Sequence, residues 1–125
     1  MGMWSGWIGT ASELESSSVE EELASFLVPG ERIEKAFRVG RDLYVFTSAR
    51  LVLVDRQGIA GRKALVTSIP YRSITRFSKE NAGTLDLDAE LRIWTAGQPD
   101  PIVKRFRNDA SLHDVYRLLS VGALR

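Results

Sequence analysis

The spacing of the apolar residues constrains the fold of this chain more than any other feature. From Glu31 onward, apolar side chains recur at every second position, which is the period of a strand with one buried face. The clearest run alternates with Asp86, Asp88, Glu90 and other polar residues, and its apolar members are Leu85, Leu87, Ala89, Leu91 and Ile93. The sequence therefore predicts a mainly β fold.

Seven strands are predicted, and most are joined by short turns that contain glycine, serine or alanine. Their approximate ranges are 33–39, 43–47, 51–54, 65–69, 74–78, 85–94 and 102–106. Short connections of this kind join antiparallel neighbours, because a parallel pair needs a long crossover. The middle of the chain is therefore expected to form a closed or nearly closed antiparallel barrel.

Helical spacing is found on both sides of these strands. Residues 18–21 (Ser-Val-Glu-Glu) fit a capping box, and an apolar stripe follows at 19, 23, 26 and 27 until Pro29-Gly30 ends it. A second stripe comprises Leu112, Val115, Tyr116 and Leu119, with Gly122 as its stop. We therefore predict an N-terminal segment and helix over residues 1–28. Residues 29–125 are predicted to form a seven-stranded antiparallel barrel capped by a C-terminal helix.

Four short motifs, in this order, resemble the bacterial pleckstrin-homology-like family, formerly a family of unknown function. They are Phe46-Thr47-Ser48-Ala49-Arg50-Leu51, Val54-Asp55-Arg56-Gln57-Gly58, Ser68-Ile69-Pro70-Tyr71 and Leu85-Asp86-Leu87-Asp88-Ala89-Glu90-Leu91. The resemblance covers roughly residues 19–121. It implies the same capped seven-stranded barrel, no catalytic activity and a tendency to assemble into rings.

Composition narrows the function further. The chain has no cysteine and a single histidine, so thiolate catalysis and cysteine-based metal sites are excluded. A net charge of +1 gives no support for nucleic-acid binding. We expect no catalytic residue, no metal and no cofactor. We also expect a cytoplasmic location, because residues 1–9 have no basic start and no long apolar run.

Polar residues that suggest chemistry have simpler interpretations. His113 lies on the predicted C-terminal helix, away from its apolar stripe, and is expected to be solvated. Asp86, Asp88 and Glu90 suggest a calcium site, but strand residues two apart are separated by roughly 6.5–7 Å. The acidic row is therefore expected to be a solvated face paired with neighbouring bases.

An anion site is the alternative to a purely structural loop at residues 58–63. Its Gly-Ile-Ala-Gly-Arg-Lys sequence resembles a GxxG phosphate clamp, although it joins two strands and fits a plain hairpin loop. In the folded barrel, Arg41, Arg62 and Lys63 are candidates to converge at one mouth and bind an anionic lipid headgroup. The loop at residues 39–42 has only one base, beside Asp42, so the usual headgroup signature is missing.

Strands two and three are apolar on both faces, which a monomeric barrel does not require. Either the N-terminal helix covers the outer face or a second subunit does. We predict a subunit interface at Tyr44, Phe46, Val52 and Val54. Trp4 and Trp7 fit either packing or membrane contact, with packing favoured because no base precedes Arg32. The predicted function is a self-assembling scaffold that displays a surface for an unknown protein partner, and the family resemblance implies assembly into a ring.

Overall fold

A computed structural model of the chain describes residues 11–14, 21–57, 63–81, 88–107 and 110–125. Eight strands and one helix lie within these ranges. The strands are β1 Ala11–Leu14, β2 Ile33–Val39, β3 Asp42–Thr47, β4 Arg50–Gln57, β5 Lys63–Pro70, β6 Ile74–Asn81, β7 Asp88–Thr95 and β8 Ile102–Arg107. Helix α1 spans Ala110–Ala123, and a 3₁₀ turn at Tyr71–Ser73 joins β5 to β6.

The strands form two antiparallel sheets, in the orders β1-β2-β3-β4-β5 and β6-β7-β8. No backbone ladder joins the two sheets within the described part of the chain, so the barrel is not closed, although its antiparallel strands and C-terminal helix are present as predicted. The 3₁₀ turn after Pro70 carries the chain from one sheet to the other and ends the pairing there. Instead, an ion pair connects the sheets, because Lys104 Nζ of β8 donates to Asp55 Oδ1 of β4 at 2.8 Å.

All seven predicted strands are present, and the bounds of the first match those predicted. The strand that the sequence did not predict is β1, whose four residues pair antiparallel with β2 from Ala11–Val39 to Leu14–Ala36. Four residues are too few to show a periodicity. This strand depends on the free edge of β2 for its hydrogen bonds, which sequence spacing cannot reveal.

The main core lies between the two sheets and α1. Directly paired residues point to the same face of a sheet, so the pairs Tyr44–Leu53 and Phe46–Leu51 place four large side chains inward. Leu91 and Ile93 of β7 approach from the opposite sheet. Leu112, Val115 and Leu119 of α1 are buried against this core, which confirms the predicted helical stripe.

A second apolar cluster lies on the outer face of the five-stranded sheet. Its members from the sheet are Ala36, Leu43, Val45, Val52 and Val54, and Leu23 packs on them. Leu23 is 2% exposed and belongs to a helical turn at residues 21–23. The N-terminal segment of the same chain therefore contributes to covering this face.

The N-terminal helix is shorter than predicted among the described residues. The chain turns at residues 24–26, where the Phe26 N–H donates to the Leu23 carbonyl at 2.8 Å. As a result, Phe26 leaves the apolar stripe and is 46% exposed. Residues 18–20 of the predicted capping box lie outside the described residues.

Gly122 is not the predicted helix stop, because α1 continues to Ala123. A Cβ atom at Gly122 would lie 2.5 Å from Cδ1 of the Tyr71 ring, which is closer than any packed contact. The glycine therefore allows the end of α1 to approach Tyr71. Within the described ranges, no helix has both the length and the apolar character needed to cross a bilayer.

Candidate functional site

Glu31, which precedes β2, takes part in a dense hydrogen-bond network with Arg50 and Thr47. Its carboxylate accepts hydrogen bonds from Arg50 Nε at 2.8 Å and Arg50 Nη2 at 2.9 Å, a bidentate pair. It also accepts from Thr47 Oγ1 at 2.7 Å and from the Val28 N–H at 3.1 Å. These donors, with Arg50 the strongest, lower the pKa of Glu31 to about 2 although burial of the side chain opposes them.

Arg50 is held in place by three different segments. Besides Glu31, its guanidinium donates to the Phe26 carbonyl at 2.6 Å and to Ser68 Oγ of β5 at 2.9 Å. Hydrogen bonding to Glu31 raises the pKa of Arg50 above its ordinary value. Arg50 therefore links the N-terminal segment, the β3–β4 hairpin and strand β5 at one end of the sheet.

A cavity of about 410 Å³ lies beside this network. Its floor and walls are apolar and come from Ala49, Pro70, Tyr71, Gly122 and Ala123. The Tyr71 hydroxyl donates to the Thr47 carbonyl at 2.7 Å, which fixes the ring. Burial raises the pKa of Tyr71 well above its ordinary value, so the hydroxyl stays protonated.

Three arginines complete the lining of this cavity, namely Arg50, Arg72 and Arg125. The guanidinium carbon of Arg125 lies 5.2 Å from the centroid of the Tyr71 ring, and its Nη1 donates to the Ser48 carbonyl at 2.8 Å. Arg125 Nη2 is 3.7 Å from Glu34 Oε1. Arg72, on the 3₁₀ turn, is exposed. We call this site, an apolar floor lined also by three arginines, the arginine cavity.

The predicted anion residues lie at the opposite end of the sheet. Arg41 is half-buried in the β2–β3 turn, Lys63 is exposed at the start of β5, and Arg62 lies outside the described residues. Acidic groups accompany them, since Asp42 Oδ1 accepts from the Arg56 N–H at 3.0 Å and Asp55 binds Lys104. Burial raises the pKa of Asp42, as does the nearby Asp55 charge. This end therefore carries charges of both signs.

The four predicted interface residues are buried within the chain. Tyr44 and Phe46 point into the main core, whereas Val52 and Val54 belong to the outer cluster. None of the four is more than 3% exposed. The structure resolves the orientation of strand β3, because Val45 faces outward and Tyr44 faces inward. Self-assembly stays a prediction, but these side chains do not offer a free surface to a second copy.

The polar residues that suggested other chemistry lie on solvated surfaces. His113 is exposed on α1, with its Nδ1 3.3 Å from Lys79 Nζ. Glu90 forms ion pairs with Arg92 and Arg105, as expected for a solvated face. The other two members of the acidic row have side chains outside the described set. Among the described residues, no three His, Cys, Asp or Glu side chains are grouped as metal ligands would be.

The sequence did not identify the arginine cavity. Arg50, Arg72 and Arg125 are separated by 22 and 53 positions, and none belongs to a recognised binding motif. Thr47 to Arg50 lie within the hairpin motif that carried the family resemblance, so part of the network was marked by that pattern. The meeting of this hairpin with Tyr71 and the end of α1 is a tertiary contact that has no local signal.

Comparison with known proteins identifies relatives over nearly the whole chain. The family model described as bacterial PH domain matches residues 2–122. The uncharacterized protein YjqA of Bacillus subtilis strain 168 is 51% identical over 121 residues, which cover 96% of this chain and 97% of that protein. A second Bacillus subtilis protein, the uncharacterized YozO, is 30% identical over 83% of this chain and 89% of its own length.

Solved structures agree with the fold. A pleckstrin homology domain from Shewanella amazonensis SB2B is 40% identical, with a TM-score of 0.82 and coverage of 94% of both chains. A DUF1696 family protein with a pleckstrin-homology domain, from Shewanella loihica PV-4, is 38% identical. Its TM-score is 0.79, with 92% of this chain and 98% of that chain covered. Two packed antiparallel sheets followed by a C-terminal helix, together with these matches, show that the chain belongs to the bacterial PH-domain family.

Proposed function

We propose that this chain is a non-catalytic binding module that assembles with copies of itself and presents a surface to a protein partner. The observation that carries the proposal is the open edge of strand β5. This strand pairs with β4 on one side, and on its other side no described strand pairs with it. An unpaired edge offers backbone N–H and carbonyl groups to a strand from another chain.

The sequence of β5 lacks the usual protection against pairing. Natural edge strands are blocked by charges or proline, but here Lys63 and Pro70 stand only at the two ends. The residues between them are uncharged and include the β-branched Val66, Thr67 and Ile69. Leu65 is 54% exposed, so an apolar side chain accompanies the free edge. A strand from a second copy would cover both the side chain and the backbone groups.

A ring requires a heterologous contact, in which two different surfaces of the same chain meet and the rotation closes. Strand β8 is an edge of the second sheet and exposes Val103 to 47%. Edge β5 of one copy and a different surface of the next copy would therefore satisfy the geometry of a ring. The proposal therefore assigns the subunit contact to β5, whereas the sequence suggested side chains of β3 and β4 that are buried within the chain.

Two observations support a non-catalytic role. The only histidine, His113, is exposed beside a lysine and does not contact a carboxylate among the described residues. The carboxylate of Glu31 has its pKa lowered by the pair with Arg50, which makes it a poor proton acceptor at neutral pH. Both groups serve structure or solubility in this proposal.

Binding of a lipid headgroup or another small anion at Arg41, Arg62 and Lys63 is the second candidate and has weaker support. Asp42 and Asp55 lie at the same end of the sheet and offset the positive charge. Exposed charge pairs contribute only about 0–1 kcal/mol, so bases that lie beside acidic groups are expected to give little affinity. Co-sedimentation with phosphatidylserine vesicles that is lost in Lys63→Glu would favour this candidate instead.

Light scattering coupled to size exclusion tests the assembly. The wild-type chain is expected to elute at a multiple of 14.0 kDa, and Leu65→Lys is expected to shift to the mass of one chain. Val121→Lys is the matched control, because Val121 is 51% exposed but lies on α1. Wild-type protein at 14.0 kDa at micromolar concentration contradicts the proposal. An assembly that survives Leu65→Lys shows that β5 is not the contact.

A further inference from the structure

The arginine cavity combines two properties. It is a concave, largely apolar site of about 410 Å³, which lies within the range of small-ligand pockets, about 300–1,000 Å³. It is also lined by three arginines, Arg50, Arg72 and Arg125. Apolar walls with a few convergent polar groups are typical of a ligand site rather than of a packing defect.

Arg72 differs from the other two arginines of the cavity in its partners. Glu31 pairs with Arg50 through the bidentate pair, and Glu34 lies 3.7 Å from Arg125. Arg72 is exposed and makes no ion pair with a described residue. Its guanidinium is therefore available to an anionic ligand.

The walls of the cavity are fixed before any ligand binds. The Tyr71 ring is held by its hydrogen bond to the Thr47 carbonyl, and Arg125 lies against that ring. Gly122 brings α1 close enough to complete the wall, and a methyl group there would collide with Tyr71. A preorganised site loses less conformational entropy on binding. The exposed side chain of Arg72 must become ordered when the ligand binds. Its guanidinium presents a planar fork that matches a carboxylate.

We propose that the arginine cavity binds the C-terminal carboxylate and the apolar last side chain of a protein partner, through Arg72 at its rim and the Tyr71 floor. This inference rests on the proposed function, since it names the surface that the module presents. Assembly is measured by the mass of the protein in solution, and cavity binding is measured by a ligand titration. Either proposal can therefore be contradicted while the other is supported.

The probe for this site is N-acetyl-leucine, which carries one carboxylate on an apolar side chain. Its binding is measured by saturation-transfer difference NMR, a ligand-detected method that works at any mass of the protein. We expect saturable binding of N-acetyl-leucine and at least tenfold weaker binding of N-acetyl-leucinamide, which lacks the charge. Arg72→Gln is expected to weaken the binding of N-acetyl-leucine at least fivefold.

Arg76→Gln is the matched control for Arg72→Gln. Arg76 is exposed on the neighbouring strand, and its guanidinium carbon lies 3.9 Å from the centroid of the Trp94 ring, away from the cavity. This variant is expected to bind N-acetyl-leucine like the wild type. Equal binding of the acid and the amide overturns the inference, as does equal weakening by the two substitutions. Displacement of N-acetyl-leucine by an equimolar amount of inorganic phosphate also overturns it, because the cavity is then a general anion site.

Discussion

The Glu31–Arg50 pair gives the sharpest prediction about stability. The side chain of Glu31 is 1% exposed, and its pKa is lowered from 4.5 to about 2. Each pKa unit corresponds to about 1.4 kcal/mol of preferential stabilisation of the ionised form in the folded state, so the shift is equivalent to about 3 kcal/mol. Glu31→Gln removes the charge but keeps the size of the side chain. We therefore expect its free energy of unfolding at pH 7 to be lower by about 3 kcal/mol.

The direction of the pH dependence follows from the lowered pKa. A carboxylate whose pKa is lower in the folded state contributes its full stabilisation above the unfolded pKa of 4.5. That contribution decreases as the pH falls from 4.5 towards about 2, where the folded protein also takes up the proton. The difference between wild type and Glu31→Gln should thus decrease from about 3 kcal/mol at pH 7 to about 1 kcal/mol at pH 3.

Urea denaturation at pH 7, 5, 4 and 3, followed by circular dichroism, measures this difference. Glu80→Gln is the control, because Glu80 also pairs with an arginine, Arg92, but is 66% exposed. Exposed pairs contribute about 0–1 kcal/mol, so this variant should differ little from the wild type at any pH. If wild type and Glu31→Gln show parallel pH profiles, the Arg50 pair does not stabilise the ionised form and the reasoning is wrong.

Two further predictions concern packing. Gly122→Ala is expected to lower the free energy of unfolding by about 1–3 kcal/mol, because its methyl group would lie 2.5 Å from the Tyr71 ring; an unchanged melting temperature would show that α1 does not pack this closely. Leu23→Ala is expected to cost about 2–4 kcal/mol in urea denaturation, since this side chain is 2% exposed on the outer cluster. A cost below 0.5 kcal/mol would indicate that other residues cover that cluster.

Strand positions could be predicted because alternation is a local property of the sequence. The pairs Ala89–Phe106 and Ile93–Ile102 join strands that were both recognised by their apolar spacing. The helix α1 was recognised in the same way from Leu112, Val115 and Leu119. Closure of the barrel was not predictable, because it depends on whether strands distant along the chain form a ladder. Here β5 and β6 are consecutive but belong to different sheets.

The two-sided apolar character of β3 and β4 was seen in the sequence but assigned to a second subunit. The pattern shows only that both faces are covered, and it does not identify what covers them. Leu23 lies 20 positions before Leu43, and no local period connects the two residues. Val45 and Val52 are 0% exposed, and residues of the same chain contribute to covering them. The spacing of apolar residues alone could not distinguish this cover from a subunit interface.

Arg50 connects the edge β5 with the arginine cavity, which decides how each proposal must be tested. Its Nη1 donates to Ser68 Oγ of β5, while the same side chain lines the cavity and pairs with Glu31. A substitution of Arg50 would therefore disturb the stability of the fold, the edge of β5 and the cavity together. A loss of assembly or of ligand binding in such a variant could not be assigned to one of these effects. Leu65 and Arg72 each lie on one surface only and make no contact with Glu31. Their variants separate assembly from ligand binding, and Glu31→Gln separates both from the stability of the fold.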